Sequence, residues 1–147
     1  MISFETQNVK QTQKIARLLA EEVQKRKKKG VRVIALEGEL GSGKTTFVQG
    51  FARALGIKEK VLSPTFVLIK IYAVKKAQFR HLIHIDCYRI DSPKDLLHLG
   101  FDGLLKDKDA IILIEWADRV KKLIPPGAIW IRFRHGRRPN KRIIEFL

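Results

Sequence analysis

The fold of this chain is indicated most strongly by one stretch of sequence, Gly38-Glu39-Leu40-Gly41-Ser42-Gly43-Lys44-Thr45. Two glycines five positions apart precede a lysine and a hydroxyl residue, which is the pattern of a phosphate-binding loop. The pattern is specific only where it follows a buried strand and opens a helix. Val31 to Leu36 is a short apolar run typical of a buried strand, and apolar residues from Phe47 to Leu55 recur at helical spacing before Gly56. We therefore predict a strand, a phosphate loop and a helix in succession.

Each position of the loop has a chemical reason. The glycines allow backbone N–H groups to converge on phosphate oxygens, and the following helix points its positive end at them. The lysine supplies charge to the β- and γ-phosphates, and the threonine offers a hydroxyl to Mg²⁺. The predicted ligands are ATP and Mg²⁺. The residues predicted to bind them through this loop are Gly38, Gly41, Ser42, Gly43, Lys44, Thr45 and Thr46.

Two carboxylates follow apolar runs and are candidates for organising the metal. Glu115 follows Ile111 to Ile114, and Asp86 follows Leu82 to Ile85. Ligands of such sheets gather at the carboxyl ends of the strands. We favour Glu115 as the metal-organising acid, together with Thr45, because its strand is uninterruptedly apolar, as a central parallel strand should be. Asp86 is then expected to orient water or a neighbouring group.

Alternating helices and strands continue to the end of the chain. A helix over about residues 8–25 has a possible capping pair in Asn8 and Gln11, with Ile15, Leu18, Leu19 and Val23 on its apolar face. Residues 66–73 and 82–85 predict a hairpin, and Ser92 opens a helix through about Leu105. Residues 110–114 predict a buried strand, residues from 118 a short helix before Pro125, and residues 129–133 and 143–146 two last strands. The pattern predicts one domain over residues 1–147.

These elements indicate the α/β class. The expected architecture is a P-loop NTPase-like three-layer sandwich with a mixed, mainly parallel central sheet and antiparallel edge hairpins. The order of the strands does not follow from the pattern.

Other residues near the motif remain open. Ser63-Pro64-Thr65-Phe66 fits either a switch segment that closes on the γ-phosphate or an ordinary proline turn. Trp116 is expected to pack in the core if its strand continues past Glu115. His84 and His135 are given no ligand role. Nothing in the pattern ranks the arginines that could stabilise transferred charge.

The composition restricts the class of protein further. Thirty basic residues against fifteen acidic ones leave a net charge of +15, with blocks at Lys25–Lys29 and Arg132–Arg142. The first block suits a helix end, and both are candidate surfaces for RNA phosphates, through charge alone because neither contains tryptophan or tyrosine. One cysteine excludes an intrachain disulfide. Apolar runs of membrane-span or signal-peptide type are missing, so a cytoplasmic location without membrane contact is expected.

The motifs together resemble one family closely, the bacterial ATPase of tRNA threonylcarbamoyladenosine synthesis, TsaE, formerly YjeE. The resemblance is carried by the following segments: GELGSGKTTF at 38–47, SPTF at 63–66, HIDCYR at 84–89, LGF at 99–101 and IEW at 114–116. Their order and spacing extend it over nearly the whole chain. A chain this basic is unusual for the family, which leaves open a more direct role at tRNA.

The resemblance implies an ATPase that works with a threonylcarbamoyl-transferase subunit and its companion dimerisation subunit. Its hydrolysis would reset that complex between rounds of modifying the adenosine 3′ of the anticodon in tRNAs that read codons beginning with A. Carried over by position, Lys44 and Thr45 bind phosphate and magnesium, and Glu115 is the Walker-B-like acid. Thr65, Asp86 and Trp116 belong to the active region, and Thr12 lies near the adenine.

Two other functions fit the residues themselves. Many compact small-molecule kinases share the loop, although no segment here is assignable to an arginine-bearing lid or an acceptor pocket. An RNA-binding protein with a regulatory nucleotide site is the other alternative. A GTPase is disfavoured because no guanine-reading NKxD segment is present.

Overall fold

Strands and helices alternate in the computed structural model, which describes residues 1–25, 32–62, 68–75 and 78–147. The strands of this described part are β1 (Ile2–Thr6), β2 (Arg32–Gly38), β3 (Ile69–Ala73), β4 (His81–Asp86), β5 (Ala110–Glu115), β6 (Ile129–His135) and β7 (Arg142–Phe146). The helices are α1 (Val9–Lys25), α2 (Lys44–Ala54), α3 (Pro93–His98), α4 (Phe101–Leu105) and a 3₁₀ helix at Ala117–Leu123.

The strands described form one seven-stranded sheet in the order β1-β7-β6-β2-β5-β4-β3. The four inner strands, β6, β2, β5 and β4, are parallel. Antiparallel pairs lie at both edges of the sheet. β3 pairs with β4 at one edge, and β7 pairs with both β6 and β1 at the other. Because β2 and β5 are central neighbours, the ends of both strands open at the same edge of the sheet.

Two hydrophobic cores flank the sheet. Helices α1 and α2 cover one face, where Phe47, Phe51 and Phe133 are fully buried. Helices α3 and α4 and the 3₁₀ helix cover the other face around Leu96 and Phe101. Every residue of β5 is buried, as expected for a parallel strand with helices on both sides. The predicted three-layer α/β sandwich with a mixed, mainly parallel sheet and antiparallel edges is confirmed.

Two helix starts match their predicted caps. The Asn8 side chain accepts a hydrogen bond from the N–H of Gln11 at 2.9 Å, and the Gln11 side chain accepts one from the N–H of Gln7 at 2.7 Å. Ser92 begins α3 with a full capping box completed by Asp95. The side chains therefore satisfy N–H groups that lack partners within the helices.

Two expectations were wrong in detail, and one strand was not predicted. The predicted helix from Ser92 to Leu105 is broken by Gly100, whose φ of +89° separates α3 from α4. Leu18 is 47% exposed, because α1 packs on α2 through its small residues, with Ala16 and Ala20 fully buried. Strand β1 was missed, although Ile2 and Phe4 alternate with polar residues, which is the signal of an edge strand.

Some predicted features lie outside the described residues. Most of the first basic block (residues 26–29), Val31 and the segment Ser63-Pro64-Thr65-Phe66 are among them. In the part of the chain that is described, no helix combines the length and apolar character needed to cross a bilayer.

Candidate nucleotide-binding site

The phosphate loop leaves β2 at Gly38 and enters α2 at Lys44. A Cβ added to Gly38 would lie 2.4 Å from the carbonyl oxygen of Phe133 on β6, so no side chain fits there. Gly43 precedes the helix with φ of +106°, a conformation that favours glycine. The eleven-residue helix α2 therefore directs its unpaired N–H groups and positive end at the space in front of the loop.

A cavity of about 660 Å³ occupies that space. Most of the predicted site residues line it, namely Thr12, Gly41, Gly43, Lys44, Thr45, Thr46, Asp86 and Glu115. Its volume falls within the range of small-molecule sites. Two loop residues do not line it: Gly38 lies against β6, and Ser42 is fully buried behind the loop. Thr65 lies outside the described residues, so its predicted role stays a prediction.

The ammonium group of Lys44 lies inside the curve of the loop. Its Nζ donates hydrogen bonds to the carbonyl oxygens of Gly38 at 2.5 Å and Glu39 at 2.8 Å. Burial lowers the pKa of Lys44, and the carboxylates of Glu115 and Asp118 partly oppose that shift. A cation held this way is suited to an incoming polyanion, which would compensate the loss of hydration.

Thr45 and Glu115 meet at the mouth of the loop. The Thr45 Oγ1 hydroxyl donates to Glu115 Oε1 at 2.8 Å. The other carboxylate oxygen, Oε2, lies 2.5 Å from His84 Nε2. Glu115 and His84 are 2% and 0% exposed, so this polar cluster is enclosed by the sheet and α2. The residue predicted from the end of β5 therefore lies beside the predicted hydroxyl of the loop.

The donor set in this cavity fits a magnesium ion held together with phosphate oxygens. Mg²⁺ takes oxygen ligands, keeps several waters, and binds substrate phosphates with one or two protein groups rather than an all-protein cage. The described residues contain no cluster of three or more His, Cys, Asp or Glu side chains that could hold a metal. Since the Thr45 hydroxyl gives its hydrogen to Glu115, its oxygen lone pairs remain available to a cation.

Asp86 lies next to Glu115 at the end of β4. The two residues are paired in register across the parallel strands. Asp86 is 7% exposed, lines the cavity, and accepts a hydrogen bond at Oδ1 from the N–H of Tyr88 at 2.9 Å. Two neighbouring carboxylates thus line the cavity.

Trp116 forms a wall of the cavity, so the expectation of a core residue on a continuing strand is right only in part. The strand ends at Glu115, and Trp116 takes the left-handed conformation with φ of +56° before the 3₁₀ helix. Its ring lies 4.2 Å from Lys44 Nζ and packs against Tyr88 at a centroid distance of 5.0 Å. Arg119 stacks on the same pair of rings and donates to the Tyr88 carbonyl.

Thr12 enters the site from α1. Its Oγ1 lies 2.9 Å from Thr6 Oγ1, and its methyl group would lie 3.9 Å from a Cβ added to Gly43. Thr12 therefore lies beside the phosphate loop, in the lining of the cavity. Its predicted contact with adenine stays a prediction.

Several lining residues were not predicted for the site. They are Asn8, Val9, Lys10, Leu40, Tyr88, Asn140 and Arg142. Asn140 lies in the β6–β7 turn and Arg142 begins β7, where its side chain lies beside Gly43. Arg142 was noticed only as part of a basic block, because its place in the cavity depends on a strand order that the sequence pattern does not reveal.

Three of the six Lys and Arg side chains in the basic block at Arg132–Arg142 are ion-paired. Arg132 pairs with Glu37 at 2.8 Å, Arg134 with Glu145 at 2.5 Å, and Lys141 with Glu5 at 3.0 Å. Arg137 and Arg138 are exposed at the turn. His135 Nε2 contacts the carbonyl of Leu40, and neither His135 nor His84 lines the cavity.

Comparison with known proteins agrees with this geometry. The family model described as threonylcarbamoyl adenosine biosynthesis protein TsaE matches residues 6–144. The chain is 34% identical over 126 residues to the tRNA threonylcarbamoyladenosine biosynthesis protein TsaE of Rickettsia prowazekii, covering 85% of this chain and 81% of that protein. It is 37% identical over 130 residues to the protein of the same name from Bacillus subtilis, covering 88% and 75%.

A solved structure supports the same assignment. The crystal structure of Bacillus subtilis YdiB superposes with a TM-score of 0.76 at 32% identity, over 99% of this chain and 83% of that one. With the phosphate loop, the acid at the end of β5 and the family match, the predicted resemblance is confirmed: the chain belongs to the TsaE family of tRNA threonylcarbamoyladenosine biosynthesis proteins.

Proposed function

We propose that this chain hydrolyses ATP with Mg²⁺, and that hydrolysis supports the enzymes that form N6-threonylcarbamoyladenosine next to the anticodon of tRNAs reading codons that begin with A. The observation that carries the proposal is the 2.8 Å hydrogen bond from Thr45 to Glu115 at the start of α2. It joins a phosphate-binding loop to a carboxylate at the end of the neighbouring strand, as P-loop hydrolases require.

The chain's own residues divide the work. Backbone N–H groups of the loop and the Lys44 ammonium bind the β- and γ-phosphates and compensate their charge. Thr45 and Glu115 hold Mg²⁺, which when bound neutralises charge that develops on the phosphates. Asp86, which lines the cavity, orients the attacking water, and Thr65 contributes from the segment before β3. Trp116 and Tyr88 restrict access of bulk water to Lys44.

The partners proposed are the threonylcarbamoyl-transferase subunit and its companion dimerisation subunit. Hydrolysis resets that complex between turnovers and is weak in the isolated chain. The exposed Arg137 and Arg138 offer an additional electrostatic contact to tRNA phosphates. Arg137→Gln combined with Arg138→Gln should weaken tRNA retention at low salt and leave nucleotide binding unchanged. Unaltered retention would argue against that contact.

Reconstitution tests the main proposal. Adding the chain and ATP to the transferase pair and tRNA should convert a single round of modification into many, with labelled phosphate released into water. Lys44→Ala and Glu115→Gln chains should fail to do so. Modification that continues equally without this chain, or phosphate transferred to a metabolite, would contradict the proposal.

A further inference from the structure

His84 is a buried titratable side chain for which the proposed mechanism has no use. It is 0% exposed and lies on β4, under the start of α2. Its Nε2 is 2.5 Å from Glu115 Oε2. Burying a polar ring costs more free energy than burying an apolar side chain of similar size, so the presence of His84 at this position requires an explanation.

The strand geometry explains why His84 reaches Glu115. Side chains alternate along β4, so His84 and Asp86 share the α2 face of the sheet while Ile83 and Ile85 enter the opposite core. Glu115 on β5 is paired in register with Asp86. His84 therefore stands one diagonal step from Glu115, within reach of a long side chain.

The surroundings of the ring determine which nitrogen carries the hydrogen. A carboxylate oxygen only accepts, so Nε2 must be the donor in this contact. Nδ1 is buried and has no hydrogen-bond partner among the described residues. A hydrogen on Nδ1 would therefore be an unsatisfied buried donor, which is costly. The contact with Glu115 therefore requires a ring hydrogen on Nε2.

We propose that His84 is a positioning residue for Glu115. Its Nε2–H holds Oε2, which turns Oε1 toward Thr45 and commits the Thr45 hydroxyl hydrogen to the carboxylate. The lone pairs of Thr45 are thereby presented to the cavity, where a divalent cation would meet the phosphates. This inference rests on the proposed function and names a residue that acts through Glu115 without touching the nucleotide.

Two substitutions separate positioning from packing. His84→Leu removes the donor while keeping similar bulk, and His84→Gln places an amide N–H near the position of Nε2. The Leu variant should need about tenfold more Mg²⁺ for half-maximal tightening of ADP binding, the size expected when a group that orients a metal ligand is lost. ADP affinity in the presence of a chelator should be unchanged. The Gln variant should recover most of the magnesium response.

A second measurement does not depend on the variants folding. Long-range ¹H–¹⁵N correlation spectra of the wild-type chain without nucleotide should show the Nε2–H form for His84, assigned by through-bond correlation from the backbone resonances of His84. Circular dichroism and thermal melting establish whether each variant is folded.

The outcomes are distinct. A folded Leu variant with a wild-type magnesium requirement, a Gln variant as impaired as the Leu variant, or an Nδ1–H ring would each overturn the role of His84. If the wild-type chain itself takes up no nucleotide, the proposed function fails instead, and the spectrum still reports whether the His84 contact exists.

Discussion

Polar and charged side chains lie on both sides of the phosphate loop, on β4 and β5 in one direction along the sheet and on β6 in the other. The two sides differ in burial. On the first, which we call the carboxylate side, His84, Asp86 and Glu115 at the ends of β4 and β5 are at most 7% exposed. On the second, the basic side, Arg132 and Arg134 of β6 are 47% and 59% exposed in their side chains. Both sides have short polar contacts, yet a contact in the interior has much larger consequences than one in water.

This difference in burial indicates where the functional site of a very basic chain lies. A net charge of +15 draws attention to the basic side, but its ion pairs join exposed or half-buried cations to glutamates, and ion pairs at a surface contribute little individually. The carboxylate side carries few charges, and its two carboxylates line the cavity in front of the phosphate loop. Burial, more than the number of charges, marks the site.

The largest expected effect concerns Cys87, which directly follows Asp86. Burial, reinforced by the negative charge of Asp86, raises the pKa of the Cys87 thiol to about 12 from its usual 9.0. Since the thiolate is the nucleophile and the raised pKa keeps the thiol protonated, native chain at pH 8 should react about 1,000-fold more slowly with an aromatic disulfide than an ordinary thiol. Chain unfolded in guanidinium should react at once. Fast native labelling would show that the carboxylate side is open to water.

The next effect compares one substitution on the two sides. Glu115→Gln should lower ATP hydrolysis by about 100-fold, because an amide holds Thr45 and the cation poorly. The matched control is Glu37→Gln, which changes a glutamate outside the 660 Å³ cavity and should leave hydrolysis unchanged. Rates measured with the partner proteins present check both. Equal losses in the two variants would erase the distinction between the sides.

The smallest effects are expected within the basic side. Arg132→Gln should lower the free energy of unfolding by less than about 0.5 kcal/mol, since that pair is exposed. Arg134→Gln should cost about 1 kcal/mol, because its partner Glu145 is only 5% exposed. Urea denaturation of both variants gives these values. A loss of several kcal/mol in either would mean that the basic side is as strongly coupled as the carboxylate side.

Much of this arrangement follows from local sequence patterns. The glycine spacing, the apolar run before Glu115 and the caps at Asn8 and Ser92 each depend on neighbours in sequence, so their predictions hold. Glu115 beside Thr45 was predictable because a strand's end and a helix's start meet at one edge of a parallel sheet.

What was not predictable depends on contacts between distant segments. Arg142 lines the cavity because β6 lies between β2 and β7, and this strand order is absent from the pattern. His84 received no role because its distance to Glu115 is known only once β4 is placed beside β5. The turn at Trp116 depends on a positive φ that a tryptophan rarely adopts, so the expectation of a continuing strand was reasonable and incomplete.

The proposed function requires that the phosphate loop binds an adenine nucleotide with magnesium. Calorimetric titration of the folded chain with ATP and Mg²⁺ measures that binding. One nucleotide should bind per chain. Lys44→Ala should weaken binding by about 100-fold, corresponding to about 3 kcal/mol for lost hydrogen bonds between charged groups. No heat of binding from folded wild-type chain, or equal affinity in the Lys44→Ala chain, would contradict the account.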